Sequence, residues 1–278
     1  MTRTRLLAAL VMAPIAIAAI LLLPTPWMMA AAAVLFLAGL WEWFDLAEIE
    51  DTLSRTVLLA ANLALMVAIV WASRSSTGYT YVLFQLASVI GVVWWLLALL
   101  WLQRYQFASN HESYARAFKL AAGALSVIPA WCALAWIHAA QPNGHRWLLT
   151  ALAIVWAADS GAYFAGRKFG RLKLAPRVSP NKTVEGLAGG VLAGVAVGVS
   201  FAVFAGARPE QLWKVGLVAL VAVLFSVVGD LFESLLKRHV GVKDSGNLIP
   251  GHGGILDRVD GVLAALPVFA LGKAVLGF

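Results

Sequence analysis

Asp230, Glu233, Ser234 and Lys237 are spaced i, i+3, i+4 and i+7, which puts all four on one face of a helix. Leu231, Phe232, Leu235 and Leu236 fill the positions between them, so the segment carries a polar stripe on an apolar body. Asp257 and Asp260 are spaced i, i+3 at the start of the next apolar stretch, directly after Gly251-His252-Gly253-Gly254. Arg238, Lys243 and Asp244 lie between the two groups, and five of the chain's 14 acidic residues fall from Asp230 to Asp260. Carboxylates beside cations suit a metal–polyphosphate site, with acids for a hard divalent ion and Lys and Arg for phosphate oxygens. With one cysteine and five histidines in the chain, such a donor set favours Mg²⁺ over zinc. The glycines can bare backbone N–H groups at a helix start. A structural salt-bridge network would use the same charges but leaves the glycines and His252 without a role.

A second charged segment lies upstream. Asp159 stands inside an apolar stretch, about 9 Å from its end at a rise of 1.5 Å per residue. An unpaired acid there is costly in a bilayer, so it is either ion-paired within the protein or part of a site. Beyond it come Gly166, Arg167, Lys168, Gly170, Arg171, Lys173, Arg177 and Lys182, with no acid until Glu185. Ser179 and Pro180 fit the N-cap and first residue of a helix, and Lys182 beside that helix start would favour phosphate. The plainer alternative is a polybasic segment that serves topology and attraction to anionic lipid.

The elements that must position these residues are hydrophobic. The 278 residues are 62% hydrophobic with mean hydropathy +0.84, beyond what a soluble domain needs. The expected fold is an all-α integral membrane protein of about nine spans, near 6–23, 27–44, 56–72, 79–102, 117–138, 147–165, 184–206, 213–236 and 260–277. The first stretch begins like a signal peptide but exceeds an h-region of about 7–15 residues, so it is read as a retained span. Residues 1–116 form an N-terminal hydrophobic region and 117–278 a catalytic region, in one continuous membrane domain. Glu42 to Arg55 alternates aromatic and aliphatic residues with acids, which suggests a short interfacial helix. Cys132 reads as a packing residue, His138 and His145 as interfacial polar groups, and the tryptophans as interfacial anchors and packing.

Charge sets the orientation. With the N-terminus in the cytoplasm, only Arg74, Arg146, Arg208, Lys214 and Lys273 fall outside, leaving 16 of the 21 Lys and Arg inside. Both charged segments then face the cytosol. The net charge of +7 reflects loops facing anionic lipid, and no nucleic-acid partner is expected.

From Ser234-Leu-Leu-Lys237-Arg238 through Lys243-Asp244-Ser-Gly246 to Pro250-Gly-His252-Gly253-Gly254-Ile-Leu-Asp257-Arg258-Val-Asp260, the chain resembles the phosphatidate cytidylyltransferases, or CDP-diglyceride synthetases. Asp159-x-x-Ala-Tyr-x-x-Gly166-Arg167 and Ser179-Pro-x-Lys182-Thr183-x-Glu185-Gly186 are similar to the family as well. The motifs cover about the last 120 residues; the N-terminal half is similar only as a hydrophobic region. The resemblance implies Mg²⁺-dependent reaction of CTP with phosphatidic acid in the cytoplasmic membrane, giving CDP-diacylglycerol and pyrophosphate. It assigns Asp230, Asp257 and Asp260 to the metal, with a second cation left open. Ser234, Lys237, Arg238, Lys243 and the backbone of His252, Gly253 and Gly254 would meet phosphates, and Asp244 would also bind substrate. Arg167, Lys173 and Lys182 would close the site from the other charged segment, with Asp159 and Ser179 also binding substrate. Oligomeric state, a homodimer included, is left open. Asp257-x-x-Asp260-Gly261 also begins a CDP-alcohol phosphotransferase motif, but no later acid follows on that stretch. A CTP-dependent polyprenol kinase and a lipid-binding transporter or scaffold are the rival readings.

Overall fold

The computed structural model describes residues 2–75, 78–110, 112–246 and 253–278, with side chains from Met12 onward. Among the described residues it is a helical bundle with two short β-hairpins. The helices are α1 (Thr2–Leu22), α2 (Thr25–Leu46), α3 (Thr52–Ala72), α4 (Val82–Gln103), α5 (Ser113–Ala139), α6 (Gly144–Phe169), α7 (Val184–Phe204), α8 (Leu212–Val240) and α9 (Leu256–Leu276). They coincide with the nine expected stretches. Eight, α2 to α9, are long and apolar enough to cross a membrane, and the described apolar part of α1 is Met12–Leu22. The chain is an all-helical integral membrane protein.

Local chemistry explains the breaks. Pro24 is the N-cap of α2 and Pro26 lies in its first turn, where a missing N–H costs no intrahelical bond, so the two prolines mark the break between α1 and α2. The end of α8 is closed by Gly241 at φ 76, whose N–H bonds the Arg238 carbonyl while Val242 N–H bonds that of Lys237. The expected interfacial helix over Glu42 to Arg55 does not form. Instead α2 continues to Leu46, a turn follows, and Asp51 caps α3 by accepting from Ser54 N at 2.8 Å. Apart from the exposed Glu50, the acids in that stretch therefore cap, pair or turn inward. Asp45 pairs with Arg55, and Glu42 is buried.

Two packing arrangements hold the site in place. Along α7, Gly186, Gly190, Gly194 and Gly198 recur every four residues and are buried. They bring α6 close, so that a Cβ at Gly190 would lie 2.8 Å from the Ala158 carbonyl oxygen. Gly190→Leu should push α6 and α7 apart and destabilise by about 1–3 kcal/mol. Thermal unfolding in detergent checks this, with Leu192→Ala on the exposed face of the same helix expected to cost far less.

The second arrangement surrounds Phe232 on α8 with aromatic rings from α2 and α4. The Trp43, Trp94, Trp95 and Trp101 centroids lie 6.1, 5.6, 6.1 and 5.2 Å away. Their indole N–H groups donate inward, from Trp43 to the Lys119 carbonyl, Trp94 to Ser126 and Trp95 to the Leu263 carbonyl. These tryptophans pack the core and are not interfacial anchors. They lock the α8 face opposite its polar stripe.

Candidate active site

Helices α6, α7 and α8 and a hairpin between α6 and α7 line a cavity of about 620 Å³. Asp159, Tyr163 and Arg167 reach it from α6, Ser179 and Lys182 from the hairpin, and Asp230 from α8. Lys182 Nζ forms an ion pair with Asp230, and both side chains are partly open to solvent. Asp159 is exposed to the cavity and lies within electrostatic reach of Asp230, Lys182 and Arg258. At the rim, Arg167 donates to the Tyr163 hydroxyl at 3.2 Å.

The hairpin corrects one sequence expectation. Its strands, Lys173–Ala175 and Ser179–Thr183, form the second and longer of the two hairpins and pair antiparallel with Ala175 opposite Ser179. Ser179 and Pro180 are thus strand residues, and the helix starts four positions later. Thr183 is the N-cap of α7, its hydroxyl accepting from Gly186 N at 3.1 Å. Strand pairing keeps 179–183 extended, so capping passes to the hydroxyl at the strand's end, Thr183. Glu185 fastens the other end by accepting from Arg171 N and Leu172 N at 3.0 and 3.2 Å. Lys182 is consequently held on a strand edge facing Asp230.

A second, more buried cluster lies at the end of α8 and the start of α9. Lys237 Nζ donates to Glu233 Oε2 at 2.7 Å and to Asp257 Oδ1 at 2.6 Å, with all three side chains largely buried. The other oxygen of Asp257 accepts from Ser245 N at 3.1 Å and Gly254 N at 2.8 Å. Ser234 links this cluster to the cavity through a 3.4 Å contact to Asp230. Asp260 sits one turn further along α9, where Gly229 lets α8 approach: a Cβ on Gly229 would collide with the Asp260 carbonyl. The Asp260 carboxylate lies within electrostatic reach of Asp230, Glu233 and Asp159. Among the described residues, no three His, Cys, Asp or Glu side chains are grouped so as to enclose a metal ion.

The remaining expected residues are placed less centrally. Arg238 donates to the Val178 and Val242 carbonyls at 3.2 and 3.3 Å and so ties α8 to the hairpin. Lys243, Asp244 and Lys173 are exposed. His252 lies outside the described residues. The glycines do not simply offer free N–H groups, since the Gly254 N–H is taken by Asp257. Gly253 adopts φ +80, and a Cβ there would lie 2.7 Å from Asp257 Oδ2, so its role is to let the loop close over that carboxylate.

Sequence reasoning passed over three participants. Glu233 was visible in the polar stripe yet was given no site role. Ser245, between Asp244 and Gly246, is buried and holds Asp257 through its backbone. Glu42 lies some 200 residues away and was read as interfacial; its signal was an acid inside an otherwise apolar stretch.

Two acids, a lysine and an arginine around a cavity at the end of membrane helices can gather anionic phosphates and a hard cation. The comparisons agree in kind. The sequence model described as the cytidylyltransferase family matches residues 3–275. The chain is 38% identical to the phosphatidate cytidylyltransferase of Pseudomonas aeruginosa, over 97% of this chain and 96% of that protein. It is 34% identical to the enzyme of the same name from Haemophilus influenzae, over 97% and 98%. With that of Bacillus subtilis it shares 46% identity over 45% of this chain and 46% of that one. A family match spanning the helices of both halves, with relatives aligned nearly end to end, means that the chain belongs to the cytidylyltransferase family.

Proposed function

We propose that this protein joins CTP to phosphatidic acid, releasing pyrophosphate and forming CDP-diacylglycerol, in the cytoplasmic membrane. The observation that carries this reading is the cavity itself. It combines Lys182, Arg167 and Asp230 at the end of membrane-spanning helices with apolar walls such as Val223, Val227 and Leu187. A lipid phosphate on its acyl anchor and a nucleotide from water could meet there.

The nucleophile, a lipid phosphate oxygen, is already anionic near neutral pH, so no Ser–His base is needed. The chain must neutralise two approaching polyanions and align them. Lys182 exchanges its contact with Asp230 for phosphate oxygens, while Lys237 stays anchored by Glu233 and Asp257 in the last turn of α8 and adds its charge beside the cavity. Arg167 guards the rim. The donor set is all oxygen and hard, and Mg²⁺ needs only one or two carboxylates when substrate phosphates supply other ligands. Asp230, Asp257 and Asp260 therefore fit as its protein ligands even though they do not enclose a metal by themselves. Bound there, Mg²⁺ would withdraw charge from the phosphate under attack.

The 16-to-5 charge bias supports a cytoplasmic N-terminus and a cytosolic hairpin. Labelling tests this in a Cys132-free background: Arg177→Cys should react only from the cytoplasmic side and Ser75→Cys only from the other. Reversed reactivity would put the site on the wrong face for CTP.

A contrast of two cations tests the division between surface and site. Arg171→Ala should alter binding to anionic vesicles at low salt, with turnover in neutral detergent unchanged. Lys182→Ala should lower turnover in neutral detergent about tenfold or more, as loss of a charge-assisted contact to the reacting phosphates. Equal, salt-sensitive losses in both variants would mean that Lys182 is merely a surface charge.

A further inference from the structure

Glu42, near the end of α2, reaches across the bundle to the start of α9 and is 2% exposed. Its Oε1 accepts from Ile255 N at 3.0 Å, and its Oε2 from Leu256 N at 2.8 Å and the Ser245 hydroxyl at 3.0 Å. Gly246 and Gly254 press against it. A Cβ on Gly246 would lie 2.6 Å from Oε1, and one on Gly254 would overlap Oε2. The same backbone holds Asp257, because Ser245 N and Gly254 N both donate to Asp257 Oδ2. Ser245 thus gives its hydroxyl to one acid and its N–H to the other.

A carboxylate is costly to bury, and packing alone would be met by an apolar residue. The three donors and the positive end of α9 offset that cost. What the arrangement achieves is positional. Residues 245–246 and 254–256 are clamped on one carboxylate, so Asp257 keeps Oδ2 on the backbone and turns Oδ1 to Lys237.

We infer that Glu42 is a positioning residue, which fixes Asp257 and the start of α9 from the N-terminal half of the chain. Its activity readout rests on the cytidylyl-transfer reading; its geometric readout does not.

The test uses the full chain in detergent. In Glu42→Gln one of the two α9 amides faces an amide N–H₂ in place of an acceptor. Hydrogen exchange at residues 245 and 254–256 should accelerate at least about tenfold, with the α6–α7 amides unchanged. Per folded molecule, kcat should fall on the order of 10–100-fold with KM for CTP within about threefold, the loss typical when a partner that orients a site ligand is removed. In an Asp257→Asn background the same change should cost less than about threefold more, because the two act through one group. Three results would each overturn the inference: unchanged exchange, a kcat loss explained by the unfolded fraction, or full additivity with Asp257→Asn. If Glu42→Gln does not fold, Ser245→Ala decides, since it removes one donor to Glu42 and keeps the N–H to Asp257. A several-fold drop in kcat at constant KM supports positioning, and wild-type kcat overturns it. If the wild-type chain makes no CDP-lipid, the reaction is wrong and exchange alone judges Glu42: acceleration confined to 245 and 254–256 supports the clamp, and unchanged exchange refutes it.

Discussion

Asp257→Asn should abolish most turnover while leaving the fold nearly intact. The substitution keeps size and removes charge. If Asp257 helps hold the cation against the CTP phosphates, several kcal/mol of transition-state stabilisation disappear, which at ~1.4 kcal/mol per tenfold is on the order of a thousandfold in rate. Stability should change little. Lys237 keeps its 2.7 Å partner Glu233, so no buried cation is left alone. The backbone donors of Ser245 and Gly254 lose a charged acceptor, a local effect at one loop. CTP turnover across a Mg²⁺ titration, beside thermal unfolding in detergent, measures both. Intact melting with turnover that added Mg²⁺ does not restore supports the metal role. Near-normal turnover would remove Asp257 from the chemistry, and collapse of the fold would make it a structural ion pair.

Lys237→Met should do the opposite to the fold. Glu233 is almost fully buried, and its Oε1 has no hydrogen-bond partner among the described residues. Lys237 is the cation that Glu233 and Asp257 share. Removing it leaves two acids facing each other, one of them buried, and breaking a buried pair in this way typically costs ~3–5 kcal/mol. The melting temperature should drop sharply. The double variant Lys237→Met/Glu233→Gln should recover much of that stability without recovering turnover, because the buried charge is gone but so is the cation that, in the proposed reaction, would meet the phosphates. Thermal unfolding of the single and double variants, each with CTP turnover per folded molecule, checks this. Recovery of turnover in the double variant would show that Lys237 only balances Glu233.

These two residues mark how far the sequence could be read. Long apolar runs separated by Pro24-Thr25-Pro26 and by the two charged segments made the helices legible, because a bilayer demands length and hydrophobicity. Helical spacing alone put Asp230, Glu233, Ser234 and Lys237 on one face. What spacing does not contain is pairing across distance. Nothing local says that Lys182 meets Asp230, or that Asp257 is held by the loop before it. Ser179-Pro180 has the composition of a helix start, yet strand pairing with 173–175 overrode that preference. Glu42 is the extreme case, since its partners lie more than 200 residues away. A single acid inside an apolar stretch was the available clue, and the neighbouring acids Asp45, Glu48 and Glu50 disguised it as part of an amphipathic surface segment.

The rival readings differ in what they make from CTP. A lipid kinase would release CDP and leave a phosphorylated lipid, and a scaffold would hold phosphatidic acid and consume nothing. The direct measurement is product analysis of the purified chain in detergent with CTP, phosphatidic acid and Mg²⁺. The expected result is CDP-diacylglycerol and pyrophosphate in equal amounts, abolished by omitting the lipid or by chelating the metal. Release of CDP with a newly phosphorylated lipid, or binding of phosphatidic acid with no loss of CTP, would contradict it.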